Sequence, residues 1–138
     1  MDMQNAFHNL NWLAIFVAAA SAFVLGGIWY SPLMFVNRWM KEMGITPDSR
    51  EKTNMIKIFG LSFLLSLVAS FFLAMFIGHE ASAAFGALAG FMAGLGWVFT
   101  YMGIICLFES RTLAYFLINA GYSVVSLTIM GFIIGVWK

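Results

Sequence analysis

Apolar residues run along four stretches of the chain, Leu10 to Tyr30, Ile58 to Gly78, Ala81 to Phe108 and Thr112 to Trp137, and no Asp, Glu, Lys or Arg interrupts any of them. About 20 residues of α-helix cross a hydrocarbon core about 30 Å thick, so each stretch is long enough to span a bilayer. Lipid offers no partners to backbone N–H and C=O groups, which restricts spanning elements to helices and closed barrels. The runs lack the period-two alternation of barrel strands. The pattern therefore predicts an all-α fold, a four-transmembrane-helix bundle, with residues 1–138 forming a single membrane domain.

Between the first two spans the pattern changes. Ser31 before Pro32 gives an N-cap followed by a proline at the first helical position, where its missing N–H costs nothing. This predicts a short interfacial helix over residues 32–43. Leu33, Val36, Met40 and Met43 fall on one face, Asn37, Arg38, Lys41 and Glu42 on the other, and Gly44 supplies the stop. With Trp39 at the headgroup boundary, the segment fits a membrane-anchoring elbow; a partner-docking helix is the other reading. Thr46-Pro47-Asp48 repeats the start signal, so the second spanning helix is expected to begin at Pro47, outside the bilayer.

Composition narrows the class further. Hydrophobic residues make up 62% of the chain and charged residues 9%, with a net charge of +1, which excludes an ordinary soluble domain and leaves no basic patch for nucleic acid. Cys106 is the single cysteine, so neither an intrachain disulfide nor a multi-thiolate metal site can form. Arg38, Lys41, Arg50, Lys52 and Lys57 lie between spans one and two and Arg111 between spans three and four, while the opposite side holds only Lys138. By the positive-inside rule, both termini are expected outside, with the first loop and the Glu109–Arg111 turn in the cytoplasm. Ala20-Ser21-Ala22 imitates a signal-peptide cleavage site, but no Lys or Arg precedes the run and it continues to Tyr30, so the first helix is expected to be retained.

Helices associate in lipid where small residues let backbones approach. Gly86, Gly90 and Gly94 recur every four residues in span three; Ala14, Ala18, Ala22 and Gly26 do so in span one; Ser62, Ser66, Ser70, Ala74 and Gly78 do so in span two. Gly131 and Gly135 close span four. Such faces serve packing within one bundle or contact between copies, and a homo-oligomer is expected to use at least one of them.

Span four also carries Tyr115, Asn119, Tyr122, Ser123 and Ser126 on one face. Polar groups are costly against lipid, so this face is predicted to look inward, toward helix neighbours or a cavity. Tyr101 with Thr100 on span three, and Tyr30 with Ser31 at the end of span one, lie at similar depth and could converge with Asn119, Tyr122, Ser123 and Ser126 on a small polar pocket. Interhelical hydrogen bonding is the plainer use of the same residues. Glu109 and Arg111 form a surface ion pair or the mouth of an ion path. His8, His79 and Glu80 have no metal-binding spacing, and no metal or cofactor is expected.

No nucleophile-and-base pair, phosphate loop or dinucleotide fingerprint occurs, so no enzymatic activity is expected. The acidic residues lie outside mid-membrane, which argues against a proton-driven exporter. Two readings remain: a non-enzymatic membrane protein working through helix and lipid contacts, and a small channel or facilitator for a neutral or small solute, lined by the polar face of span four.

The stretch Asn11-Trp12-Leu13-Ala14, then Leu25-Gly26-Gly27-Ile28-Trp29-Tyr30-Ser31-Pro32-Leu33 and Trp39-Met40-Lys41, resembles a family of small bacterial membrane proteins catalogued as a domain of unknown function. Phe116-Leu117-Ile118-Asn119-Ala120-Gly121-Tyr122, Val125-Ser126-Leu127 and Met130-Gly131 resemble that family's last span. The resemblance covers nearly the whole chain and implies four helices in a bacterial plasma membrane. Many relatives carry His after the Gly-Tyr pair, where this chain has Ser123, so the resemblance brings no proton relay to that position.

Overall fold

The computed structural model describes residues 3–46, 54–78 and 80–137. It is helical, with no strand among the described residues. A short helix α1 (Met3–His8) precedes α2 (Trp12–Trp29); α3 (Val36–Met43) and α4 (Met55–Ile77) follow. The third span comprises α5 (Ala83–Ala93), a π-helical turn at Gly94–Phe99, and α6 (Thr100–Phe108); α7 (Leu113–Val136) completes the chain. Four helices are long and apolar enough to cross a membrane: Trp12–Trp29, Met55–Ile77, Ala83–Phe108 and Leu113–Val136, each within three residues of its predicted bounds.

Every span begins on a polar cap. The side chains of Asn11, Asn54, Ser82 and Thr112 accept hydrogen bonds from the backbone N–H groups of Ala14, Lys57, Phe85 and Tyr115. Each satisfies one of the donors that a helix leaves unpaired in its first turn. The spans thus start where the chain can still offer a polar side chain, and apolar run length does the rest.

α7 is the central helix, packed against α2 on one side and α5 on the other, while α4 packs mainly on α2. The core gathers small and branched residues from these helices, among them Ala18, Ala22, Leu73, Ala74, Ala89 and Met130. At the end where α2 starts and α7 finishes, the Asn11 side-chain amide donates to the Trp137 carbonyl at 3.1 Å. α3 and the turn between α6 and α7 mark the opposite end. Outward faces carry large apolar side chains such as Leu65, Phe72 and Leu107, a surface suited to lipid and costly in water.

Two elements depart from the sequence expectation. The interfacial helix starts at Val36 rather than at residue 32, because the chain first reverses direction: the Phe35 N–H donates to the Trp29 carbonyl at 3.0 Å and the Phe35 ring packs on Trp29 at 4.9 Å. Ser31 does cap, but it caps this turn, accepting from the Leu33 N–H at 3.2 Å. The helix ends at Gly44 as expected, in the left-handed region at φ +70°. The second departure is the π turn, stapled by the Thr100 hydroxyl, which lies 2.9 Å from the carbonyls of both Gly96 and Trp97. One extra residue in a turn rotates the helix face beyond it by about 100°. The expected helix start at Pro47 lies outside the described residues.

Candidate functional site

Two uses of small residues divide the molecule. On α5, a Cβ placed on Gly86 would run into the Gly131 carbonyl oxygen, and one on Gly90 into that of Leu127. The relation is mutual, since a Cβ on Gly131 would strike the Gly86 carbonyl, and one on Gly135 would lie 2.5 Å from that of Ser82. A Cβ on Gly94 would sit 2.8 Å from the Val124 Cα. Backbone therefore lies on backbone along a seam that only glycine permits, and the glycine stripe of span three and the Gly131/Gly135 pair are occupied within one chain.

Toward the α3 end, α2 and α7 are held together differently. The Trp29 indole N–H donates to the Ile118 carbonyl at 2.9 Å, the Tyr30 hydroxyl to the Asn119 side-chain oxygen at 2.6 Å, and the Tyr122 hydroxyl to the Ala22 carbonyl at 2.8 Å. These bulky rings need room, and glycine gives it: a Cβ on Gly121 would lie 3.3 Å from the Trp29 ring, and one on Gly26 3.2 Å from the Tyr122 hydroxyl. The Leu25–Pro32 and Asn119–Tyr122 segments, distant in sequence, meet here.

Beside this junction lies a groove of about 850 Å³. Phe23, Gly26, Gly27 and Tyr30 of α2 line it together with Asn119 and Tyr122 of α7. α4 contributes Met55, Ile58, Phe59, Ser62 and Ser66, and Trp39 of α3 with Ile45 completes the lining. Among the described residues no Asp, Glu, Lys, Arg or His contributes to it. Its aromatic side chains form two groups, Tyr30 with Trp39 and Tyr122 at 5.9 and 5.7 Å between centroids, and Phe23 with Phe59 at 5.8 Å. The volume falls within the range of small-molecule sites, and the mixture of aromatic lining and few polar groups is typical of them.

The α3 helix is tethered across the end of this groove. Glu42 accepts from the Thr112 hydroxyl at the start of α7 and pairs with Arg38 at 2.8 Å. The Thr112 hydrogen bond holds the Glu42 carboxyl below the usual carboxylate range, with Arg38 adding to the effect. Arg111 bends back over the Tyr115 ring, 5.1 Å from its centroid, with Glu109 at 3.5 Å.

The chain matches one family over residues 13–135. It belongs to the family described as protein of unknown function (DUF1761). Of the segments that carry the sequence resemblance, residues 25–33, 39–41 and 116–122 bring Gly26, Gly27, Tyr30, Trp39, Asn119 and Tyr122 to the groove. No curated protein and no solved structure matches the chain.

Of the residues singled out on span four, the structure brings Asn119 and Tyr122 to the groove and Tyr30 with them. Ser123 turns instead toward Met102 of α6, and to the Asn119 carbonyl at 3.3 Å. Ser126 is buried against the Met130 sulfur at 3.7 Å. Tyr101 does not join the group: it is 64% exposed on the outer face, beyond the π turn that re-phases its helix. Ser62 and Ser66, expected to pack like Ser70, line the groove, and only Ser70 is enclosed, donating to the Ile15 carbonyl at 2.8 Å. Gly27, Trp39 and Phe59 carried no functional signal in sequence, because an apolar residue lining a cavity looks like one facing lipid. His79 lies outside the described residues.

Proposed function

We propose that the protein is a membrane-resident binding protein, with no catalytic role of its own, that holds a lipid-soluble small molecule in the groove between α2, α4 and α7. The observation that carries this reading is the groove itself: about 850 Å³, without a carboxylate or basic side chain among the described residues, and lined by aromatic groups in an otherwise lipid-facing bundle. A polar path across the bilayer has less support. The hydroxyls of Ser123, Ser126 and Thr128 are turned to partners on or beside their own helix, and the seam between α5 and α7 leaves no space for solute. The same seam supports a bundle complete in one chain over self-association through its glycines.

The setting proposed is a bacterial plasma membrane with both termini outside. Arg38, Lys41, Lys57 and Arg111 belong to the elements at the α3 end, and that distribution supports a cytoplasmic position for α3. The groove then opens in the inner half of the bilayer, and the helix above it rests at the headgroups.

Quenching of Trp39 and Trp29 at the groove end, in protein whose Trp12, Trp97 and Trp137 are replaced by phenylalanine, tests the reading. Protein in phosphatidylcholine nanodiscs is titrated with 4-bromododecylbenzene, a neutral apolar ring whose bromine quenches tryptophan on contact. Saturable quenching that unbrominated dodecylbenzene reverses is expected, and Gly27→Leu, which fills groove space where nothing lies within 4 Å, abolishes it. Linear, unsaturable quenching of equal size in both proteins would sink the proposal.

A further inference from the structure

Within the groove one polar side chain on α7 is only half satisfied. Asn119 lies six residues into α7 from Leu113, about 9 Å along the helix and well inside the apolar span. Its side-chain oxygen accepts from the Tyr30 hydroxyl at 2.6 Å. No residue among those described accepts from its Nδ2. Two hydroxyls nearby are committed, since Tyr122 donates to the Ala22 carbonyl and Ser66 to the Ser62 carbonyl in its own helix, while the Ser62 hydroxyl lies exposed across the groove on α4. An amide N–H₂ without an acceptor, in a cavity inside an apolar layer, is unfavourable unless something brings it one.

What can bring it is constrained from three sides. Among the described residues the lining has no carboxylate, lysine, arginine or histidine, so a charged ligand would lose its hydration with no counter-charge from them in return. The donor that lacks a partner is an amide N–H, which calls for an acceptor such as a carbonyl oxygen. Two aromatic groups, Tyr30 with Trp39 and Tyr122, and Phe23 with Phe59, favour a flat ring, which gains from offset and edge contacts that a flexible chain does not make. Gly26 and Gly27 put bare backbone rather than side chain on the α2 side.

Resting on the reading of the groove as a ligand site, we propose that its occupant is a neutral, lipid-soluble molecule with a ring carbonyl, the chemical class that includes quinones, and that this carbonyl accepts from Nδ2 of Asn119. The ring lies among the aromatic side chains. Any apolar tail leaves toward lipid.

The test compares two probes of similar bulk in the same nanodiscs, decylbenzoquinone and dodecylbenzene, each competing against 4-bromododecylbenzene. The ring-carbonyl probe is expected to bind about tenfold tighter, the effect of one hydrogen bond made where water is absent. Asn119→Leu brings that ratio to about one, and a bound quinone shows a carbonyl stretch at lower frequency than in protein-free nanodiscs. Equal affinities of the two probes for the unaltered protein overturn the ring-carbonyl assignment while leaving the groove as a binding site. Saturable binding of neither probe overturns both. Displacement of the brominated probe by a diacylglycerol ahead of decylbenzoquinone assigns the Asn119 amide to an ester carbonyl and refutes the ring. The comparison of probes on the unaltered protein decides the matter even if Asn119→Leu fails to fold.

Discussion

The seam between α5 and α7 and the groove beside α2 are built from the same kind of residue with opposite results. Gly86, Gly90, Gly131 and Gly135 have no side chain so that two backbones can touch; Gly26 and Gly27 have none, and Tyr122 and open space occupy what is left. In lipid the hydrophobic effect does not distinguish a helix neighbour from an acyl chain, so the close approach of glycine surfaces supplies much of the specific contact. Where a second small-residue helix faces the stripe, the space closes. Where a bulky ring from α7 intervenes, as Tyr122 does at Gly26, the space beside the stripe is not closed by backbone and a cavity is left.

The largest expected effect breaks the seam. Gly90→Leu forces a side chain into the Leu127 carbonyl, which neither backbone can avoid without parting α5 from α7. A loss of about 3 kcal/mol or more is expected, at the upper end of overpacking, read as loss of monodisperse protein after heating in detergent. Gly60→Ala is the matched control. Nothing lies within 4 Å of its Cβ position, and removing a helix glycine is expected to raise stability by up to about 1 kcal/mol. Equal losses in both would mean the seam is not the contact that holds the bundle.

The second effect separates two adjacent glycines. A Cβ on Gly26 comes within 3.2 Å of the Tyr122 hydroxyl, so Gly26→Leu pushes that ring off the Ala22 carbonyl and leaves the half-buried hydroxyl without its acceptor, at about 1–2 kcal/mol. Gly27→Leu meets nothing within 4 Å and should change melting by less than about 0.5 kcal/mol while closing the groove. Loss of stability at Gly27 would show that the groove is a packed contact and not free space.

The seam was legible in the sequence and the groove only in part, and the reason is physical. Four-residue spacing places Gly86, Gly90 and Gly94 on one helix face whatever the helix meets, and glycine so placed makes close approach possible. The spacing of Ser62, Ser66 and Ser70 is the same, yet the first two line open space and the third is enclosed, because the partner's distance is set by rings on other helices. Asn119, Tyr122 and Tyr30 could be brought together by depth alone. Tyr101 could not be placed, since one π turn, which no residue in Gly94–Phe99 announces, turns its face outward. The helix expected from Ser31-Pro32 began late for a similar reason: the local cap was read correctly, but the long-range packing of Phe35 on Trp29 decided what it capped.

A smaller effect sharpens the contrast along α4 itself. Ser70 is wholly buried and bridges two helices through the Ile15 carbonyl, whereas Ser66 bonds back to its own helix at Ser62. Ser70→Ala should cost about 0.6 kcal/mol, the usual worth of an interhelical hydrogen bond in a membrane, and Ser66→Ala close to nothing. Matching losses, measured by unfolding in mixed micelles, would mean that the groove side of α4 is as tightly packed as the core side.

The smallest effect concerns the tether over the groove. Glu42 is held below the ordinary carboxylate range by the Thr112 hydroxyl and Arg38, so its folded-state pKa is depressed and its contribution is present at neutral pH, above the ordinary carboxylate value. As pH falls through the lowered value the carboxylate is protonated, and the charge that binds Arg38 and favours the Thr112 hydrogen bond is lost. The attachment of α3 to α7 is therefore expected to weaken only in acid, below the ordinary carboxylate range. Quenching of Trp39 by aqueous acrylamide should rise there and remain flat between pH 5 and 8. Glu42→Gln should show the acid level of quenching throughout and lose the step, while melting of the seam stays unchanged. A step that persists in Glu42→Gln would place the titrating group elsewhere and detach α3 from the argument, whereas a change in seam melting would show that the two regions are coupled rather than separate structures built from the same small residues.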